Sequence, residues 1–115
     1  MSKERIIKAL KALGFTCSDI QVYVFLEKEG PYTIKEIAIA LNLHARNIRT
    51  SLRELQTISI VEESIENRLE FSAMPFEEVI DLFIEVKKEQ AKTMKQSRNE
   101  LLSTWKTLIK KNPTN

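Results

Sequence analysis

The stretch TIKEIAIALNLHARNIRTSLRELQT, residues 33–57, decides the fold. It opens on a capping box, Thr33-Ile34-Lys35-Glu36. The threonine hydroxyl accepts the amide hydrogen three residues on, and the glutamate reaches back to the threonine amide. Ile37, Ala38 and Leu41 continue a short helix. After a polar turn near Asn42 to His44, a second helix runs from about Ala45 to Thr57, with Ile48, Leu52 and Leu55 as its buried stripe. Only a tight turn fits between the two, which is helix-turn-helix spacing.

Upstream, Lys3 to Leu13 reads as a helix with Ile6, Ile7, Leu10 and Leu13 at helical spacing, ended by Gly14. Thr16 or Ser18 caps the next helix. Its inward face is Ile20, Val22, Tyr23 and Leu26, and Gly30-Pro31 stops it. Downstream, Ile60 to Ser64 and Leu69 to Ala73 read as short strands joined by Ile65 to Arg68. Pro75 then introduces one long helix, Phe76 to about Lys111. The expected architecture is mainly α with a small β-hairpin. Residues 1–75 form a winged helix-turn-helix, and residues 76–115 form a long C-terminal dimerisation helix with a short tail.

The composition fits one soluble domain with a helical extension: 115 residues, 43% apolar and 30% charged. One cysteine and one histidine cannot make an internal disulfide or a four-ligand zinc site, so no metal or other cofactor is expected. No apolar run is long enough to cross a bilayer, and Met1 to Phe15 lacks the apolar core of a secretory signal. The expected compartment is a reducing cytoplasm, with no membrane partner. Enzyme readings find no support. The acidic residues are spread as surface charges, the single His and Cys lie in unrelated segments, and both glycines, Gly14 and Gly30, stand at helix ends, leaving no phosphate loop. No small-molecule ligand is evident.

The net charge of +2 hides a strong pattern. Residues 44–59 carry Arg46, Arg49 and Arg53 against Glu54. Residues 60–70 carry Glu62, Glu63, Glu66 and Glu70 against Arg68. Residues 86–115 carry eight basic side chains against Glu89 and Glu100. The long helix adds a size argument. Thirty-six residues span ~54 Å, whereas a domain of 75 residues is ~25 Å across. The far end carries Leu101, Leu102, Trp105, Leu108 and Ile109, which need a partner, and a second copy is the simplest. The segment between, Lys87 to Glu100, is nearly all polar and reads as an exposed bridge or a weak coiled coil.

An ordered set of residues carries a family resemblance. Leu13-Gly14-Phe15-Thr16, Val22-Tyr23, Leu26, Gly30-Pro31-Tyr32-Thr33 and Glu36-Ile37-Ala38 come first. Ile48, Leu52, Leu55 and Val61 follow, and the set closes on Ala73-Met74-Pro75-Phe76-Glu77-Glu78. Over residues 5–85 the chain resembles the N-terminal domain of the TrmB family of transcriptional regulators, found mostly in archaea. The resemblance implies a winged helix that binds promoter DNA as a dimer, and the chain looks like a short, standalone member without the sugar-sensing domain. It departs from the family in three places. Ala45 and Arg49 stand where an arginine and an aromatic are usual, Ser59 stands where a glycine closes the helix, and Glu66 to Glu70 replace a glycine-rich basic wing. An acidic wing repels phosphate.

On a helical wheel Arg46, Arg49, Thr50 and Arg53 fall within about 100°, opposite Ile48, Leu52 and Leu55. That suits a recognition helix, 45–57, placed in the major groove of double-stranded DNA by a homodimer. Arg46 and Arg49 would read bases, Asn47 would read adenine, and Arg53 and Lys35 would hold phosphates. His44 either touches DNA or only caps the helix. Thr33 is a cap at a position that often reaches phosphate. Arg68 either enters the minor groove or neutralises Glu66 and Glu70. Against these stand plainer readings: a solvated arginine face, lysines that merely solubilise the last helix, Trp105 closing a dimer core, and Cys17 as a structural thiol. The alternative function is a protein–protein interaction module of the transcription machinery with little DNA affinity, motivated by the acidic wing.

Overall fold

A computed structural model of the chain describes residues 2–66 and 69–110. The elements in order are α1 (Ser2–Ala12), α2 (Cys17–Glu29), β1 (Tyr32–Thr33), α3 (Ile34–Leu41), α4 (Ala45–Thr57), β2 (Val61–Glu63), β3 (Glu70–Ala73), α5 (Phe76–Gln96) and α6 (Arg98–Ile109). They divide into two compact units, Met1–Ile80 and Asp81–Asn115.

The first unit is a winged helix-turn-helix: mostly helix, with a small antiparallel sheet. Its core comes from every element the periodicity marks. Leu10, Ile20, Val22, Tyr23, Leu26, Ile37, Ile48, Leu52, Leu55, Ile60, Val61, Phe71 and Val79 are all buried. The most extensive helix packing is α2 on α4. The expected capping box at Thr33 is present, and the cap of α2 is a second one. Thr16, rather than Ser18, caps α2, with Asp19 as its reciprocal partner. Thr33 Oγ1 accepts the Glu36 N–H at 3.2 Å, and Glu36 Oε1 accepts the Thr33 N–H at 2.9 Å.

Three helices end in one way, and the closing residue differs each time. After α1, Gly14 stands at φ +104°; after α3, Asn42 at +56°; after α4, Ser59 at +65°. At each end the next amide bonds back five residues: Phe15 to Leu10, Leu43 to Ala38, Ile60 to Leu55. This is the Schellman closure, in which a left-handed residue lets two otherwise orphaned carbonyls find donors. Glycine and asparagine tolerate that conformation. Serine pays for its Cβ there.

The sheet has a strand that the sequence does not announce. Besides the expected hairpin of β2 and β3, Tyr32–Thr33 pairs antiparallel with β3, giving the order β1-β3-β2. Two residues are too short for an alternation signal. The pairing Thr33↔Glu70 ties the start of α3 to the base of the wing.

Two side chains of α2 hold the join between wing and α5. The Tyr23 hydroxyl donates to the Met74 carbonyl at 2.7 Å, and Glu27 Oε2 accepts the Phe76 N–H at 3.3 Å. That amide is one of the donors a helix start leaves over, so α5 takes a cap from a residue 49 positions away. Burial, and secondarily the Glu27 charge, pushes the Tyr23 ionisation well above the usual tyrosine range.

In the second unit the expected single helix is two. α5 ends at Gln96, Ser97 leaves helical geometry (φ −96°, ψ 3°), and α6 begins at Arg98. The Ser97 N–H still bonds to Thr93 O and the Leu101 N–H to Ser97 O, so the ladder continues across the junction. Among the described residues of this unit none is buried. No described helix is long and apolar enough to cross a membrane.

Because Ser59 occupies a left-handed position, Ser59→Gly is expected to raise the unfolding free energy by about 1 kcal/mol. Urea unfolding measures this. An unchanged or lowered midpoint would show that the turn is not strained.

Candidate nucleic-acid interface

The geometry of α4 follows from which side it buries. Ile48, Ser51, Leu52 and Leu55 are buried, so the opposite side faces solvent. Arg46, Asn47, Arg49, Thr50 and Arg53 are all exposed there. Among the described residues no ion pair engages any of the three guanidiniums; the pair found within 4.0 Å is Lys88–Glu85. Three uncompensated cations on one helical face form a strong local field for an anionic polymer.

Thr50 is not fully free. Its hydroxyl donates to the Arg46 carbonyl at 3.1 Å, as Thr57 does to Arg53 at 2.9 Å. This is the common back-bond of a helical threonine. It leaves the Thr50 oxygen as an acceptor only.

The N-terminus of α4 is open. His44 stands at the N-cap position with extended backbone (φ −71°, ψ 142°), but its side chain makes no capping bond. It is exposed, beside a shallow depression bounded by Ala45, Arg46 and Asn47. The first amides of α4, at the positive end of the helix dipole, open there. On α3, Lys35 is exposed in the first turn. Thr33 is half-buried, with its oxygen engaged in the capping box.

The wing is a different surface. Glu62 and Glu63 of β2 are exposed. Glu63 Oε2 accepts the Leu69 N–H at 3.1 Å, and Leu69 sits at φ +80°. Ile65 is 93% and Leu69 66% exposed, so the wing presents carboxylates and aliphatic side chains. Arg68 lies outside the described residues. The structure therefore brings Arg46, Asn47, Arg49, Thr50 and Arg53 together on one face, with His44 at its end and Lys35 on the preceding helix.

On the second unit, Leu101, Leu102, Trp105, Leu108 and Ile109 of α6 are between 40% and 72% exposed, and Met94 of α5 is 62% exposed. Among the described residues, no group of three or more His, Cys, Asp or Glu side chains is placed to hold a metal.

One feature of the α4 surroundings has no signal in the sequence. Asp19, at the start of α2, is buried against the Glu54 side of α4. Its partner lies 35 positions away, and only the α2–α4 packing brings the two together.

The family model described as "Sugar-specific transcriptional regulator TrmB" matches residues 10–77. No curated protein sequence matches. Among solved structures, TrmBL2, an archaeal chromatin protein with a novel mode of DNA binding, superposes with a TM-score of 0.67 at 23% identity. The match covers 96% of this chain and 45% of that one, so the chain spans less than half of TrmBL2. A possible transcriptional regulator from Methanosarcina mazei Go1 gives 0.65 at 18% identity, covering 87% and 88% of the two chains. The overoxidized AbfR bound to DNA gives 0.52 at 25% identity, covering 90% and 80%.

The Thr33 cap organises the start of the helix that supports α4. Thr33→Ala is expected to lower stability by about 1 kcal/mol in urea unfolding, with Thr33→Ser near wild type. Equal stability of all three proteins would contradict a capping role.

Proposed function

The chain belongs to the TrmB family of sugar-specific transcriptional regulators, and from that premise we propose that it is a homodimeric DNA-binding regulator that places α4 in the major groove. The observation that carries this reading is the unpaired guanidinium face of α4. A major groove about 12 Å wide admits one helix, and arginine reads guanine O6 and N7 bidentately. On this reading Arg46 and Arg49 contact base edges, Asn47 reads adenine, and Thr50 accepts from an exocyclic amine. Arg53 and Lys35 hold phosphates, and His44 and Thr33 lie where the backbone passes. The Glu62 and Glu63 carboxylates keep the wing from gripping phosphate, so α4 and α3 supply the affinity. Arg68 is the cation the wing has to offer DNA.

The dimer rests on a separate observation. A 12-residue helix with no buried side chain is marginal alone, and the α6 face Leu101, Leu102, Trp105, Leu108 and Ile109 is apolar and open. Burying these five against a second copy of α6 removes that exposure and spaces two winged helices on one duplex. Residues 1–75 then bind DNA and residues 76–115 dimerise.

The test is a triple variant, Arg46→Ala/Arg49→Ala/Arg53→Ala, measured on random-sequence duplex DNA by fluorescence anisotropy at ~50 mM salt, where phosphate contacts dominate. It is expected to lose more than ~10-fold in affinity with a flatter salt dependence, while its mass in solution stays that of the wild-type dimer. Wild-type affinity in the variant, or no binding by a folded wild type, would overturn the reading. For the dimer, Trp105→Ser/Leu108→Ser is expected to shift the mass from dimer to monomer. An unchanged dimer would place the contact elsewhere.

A further inference from the structure

The α2–α4 interface contains one buried polar defect. Asp19 is 5% exposed. Its Oδ2 accepts the Thr16 N–H at 3.2 Å, and its own N–H donates to Thr16 Oγ1 at 3.0 Å. Its Oδ1 is buried with no hydrogen-bond partner. Buried acceptors are nearly always paired, so this one calls for an explanation. The Glu54 carboxyl on α4, itself exposed, lies within hydrogen-bonding reach of the Asp19 carboxyl. Two ionised carboxylates are both acceptors and cannot bond to each other. With one proton between them they form a short, charge-assisted hydrogen bond.

We propose that Asp19 and Glu54 share a proton, and that this proton latches α4 to α2 and makes the hold of the recognition helix pH-dependent. The Glu54 carboxyl is held above the usual carboxylate range, first by hydrogen bonding to Asp19 and next by the charge of Asp19. The elements packed on α2 and α4 carry Lys3, Glu4, Arg5, Lys8 and Lys11 on α1, Lys35 and Glu36 on α3, Glu62 and Glu63 on β2 and Glu70 on β3, with Arg53 on α4 itself; the charge that acts on Glu54 is that of Asp19. Among the described residues none makes an ion pair with either carboxyl.

The direction follows from linkage. The folded protein binds this proton more tightly than the unfolded chain does. The added stability is therefore complete below the ordinary glutamate value of 4.5 and is lost as pH rises through the raised folded value. Losing the proton also adds a negative charge next to Arg53, about 40° around the helix from Thr50. DNA binding should weaken across the same window. This second consequence rests on the DNA-binding reading; the titration does not.

The experiment is a carboxyl-carbon NMR titration of the full chain, with urea unfolding between about pH 4 and 8. In wild type the Glu54 signal is expected to titrate above the ordinary glutamate range, and in Asp19→Asn to return to it. Glu54→Gln supplies a permanent donor to Asp19 Oδ1. It is expected to remain folded and to flatten the fall in stability with rising pH. Ordinary Glu54 titration in wild type, or an unchanged stability slope in Glu54→Gln, would overturn the latch. On random-sequence duplex DNA, wild type is expected to bind several-fold more weakly above the pH at which its Glu54 signal titrates than below it, more so than Glu54→Gln. That comparison removes the contribution of His44, which the two proteins share. Equal pH dependence of the two proteins would overturn the coupling to DNA. A raised Glu54 titration with no DNA binding at any pH would instead refute the DNA-binding reading and leave the latch standing.

Discussion

Ile48, Leu52 and Leu55 lie on one side of α4 and have to leave water, and α2 is the surface that receives them. Burying three aliphatic side chains is worth roughly 1.5–3 kcal/mol each, a large share of the 5–15 kcal/mol that holds a small domain together. The same burial sets the rotation of α4 about its axis. Turning the helix by half would expose that stripe and drive guanidinium groups into the core, where unpaired charge is far more costly than lost apolar contact. The direction of Arg46, Arg49 and Arg53 is thus a by-product of core packing.

The remaining parts hold that platform at its ends. Left-handed closures at Gly14, Asn42 and Ser59 turn the chain sharply after α1, α3 and α4 and leave few backbone groups unpaired. The turn at Asn42 brings α4 across α3, and the turn at Ser59 sends the chain from α4 into β2 within three residues. β1 then stitches the start of α3 to the wing, while Tyr23 and Glu27 fasten the first turn of α5 to α2. Local capping and long-range hydrogen bonds converge on the two helices of the helix-turn-helix.

Much of this was legible in residues 33–57, because amphipathic period, capping chemistry and turn length all speak locally there. The arginine face follows from a helical wheel alone, since it depends only on which residues share a side. What stayed hidden depends on pairing across the chain or on small departures from regularity. Tyr32–Thr33 is too short to alternate, and the Glu27 cap on Phe76 joins residues 49 apart. Ser97 interrupts the last helix without a proline or glycine to mark it. Asp19 and Glu54 read separately as ordinary helix charges, and only tertiary packing makes them a pair. Ser59 was visible as a missing glycine, and its positive φ shows the backbone keeping the turn despite the side chain.

Two surfaces of opposite sign border each other along the chain: a cationic face on α4 and a carboxylate-bearing wing just after it. A regulator built this way should depend on its recognition helix more than on its wing, and in the major groove rather than the minor. Dimethyl sulfate protection on a duplex selected from a random library by the wild-type protein tests this most directly, since the reagent reports guanine N7 in the major groove and adenine N3 in the minor groove. The expected result is guanine N7 protection in two clusters about one helical turn apart, lost in Arg46→Ala/Arg49→Ala. Protection confined to adenine N3, or no protection on a duplex that is demonstrably bound, would contradict α4 as the reading element.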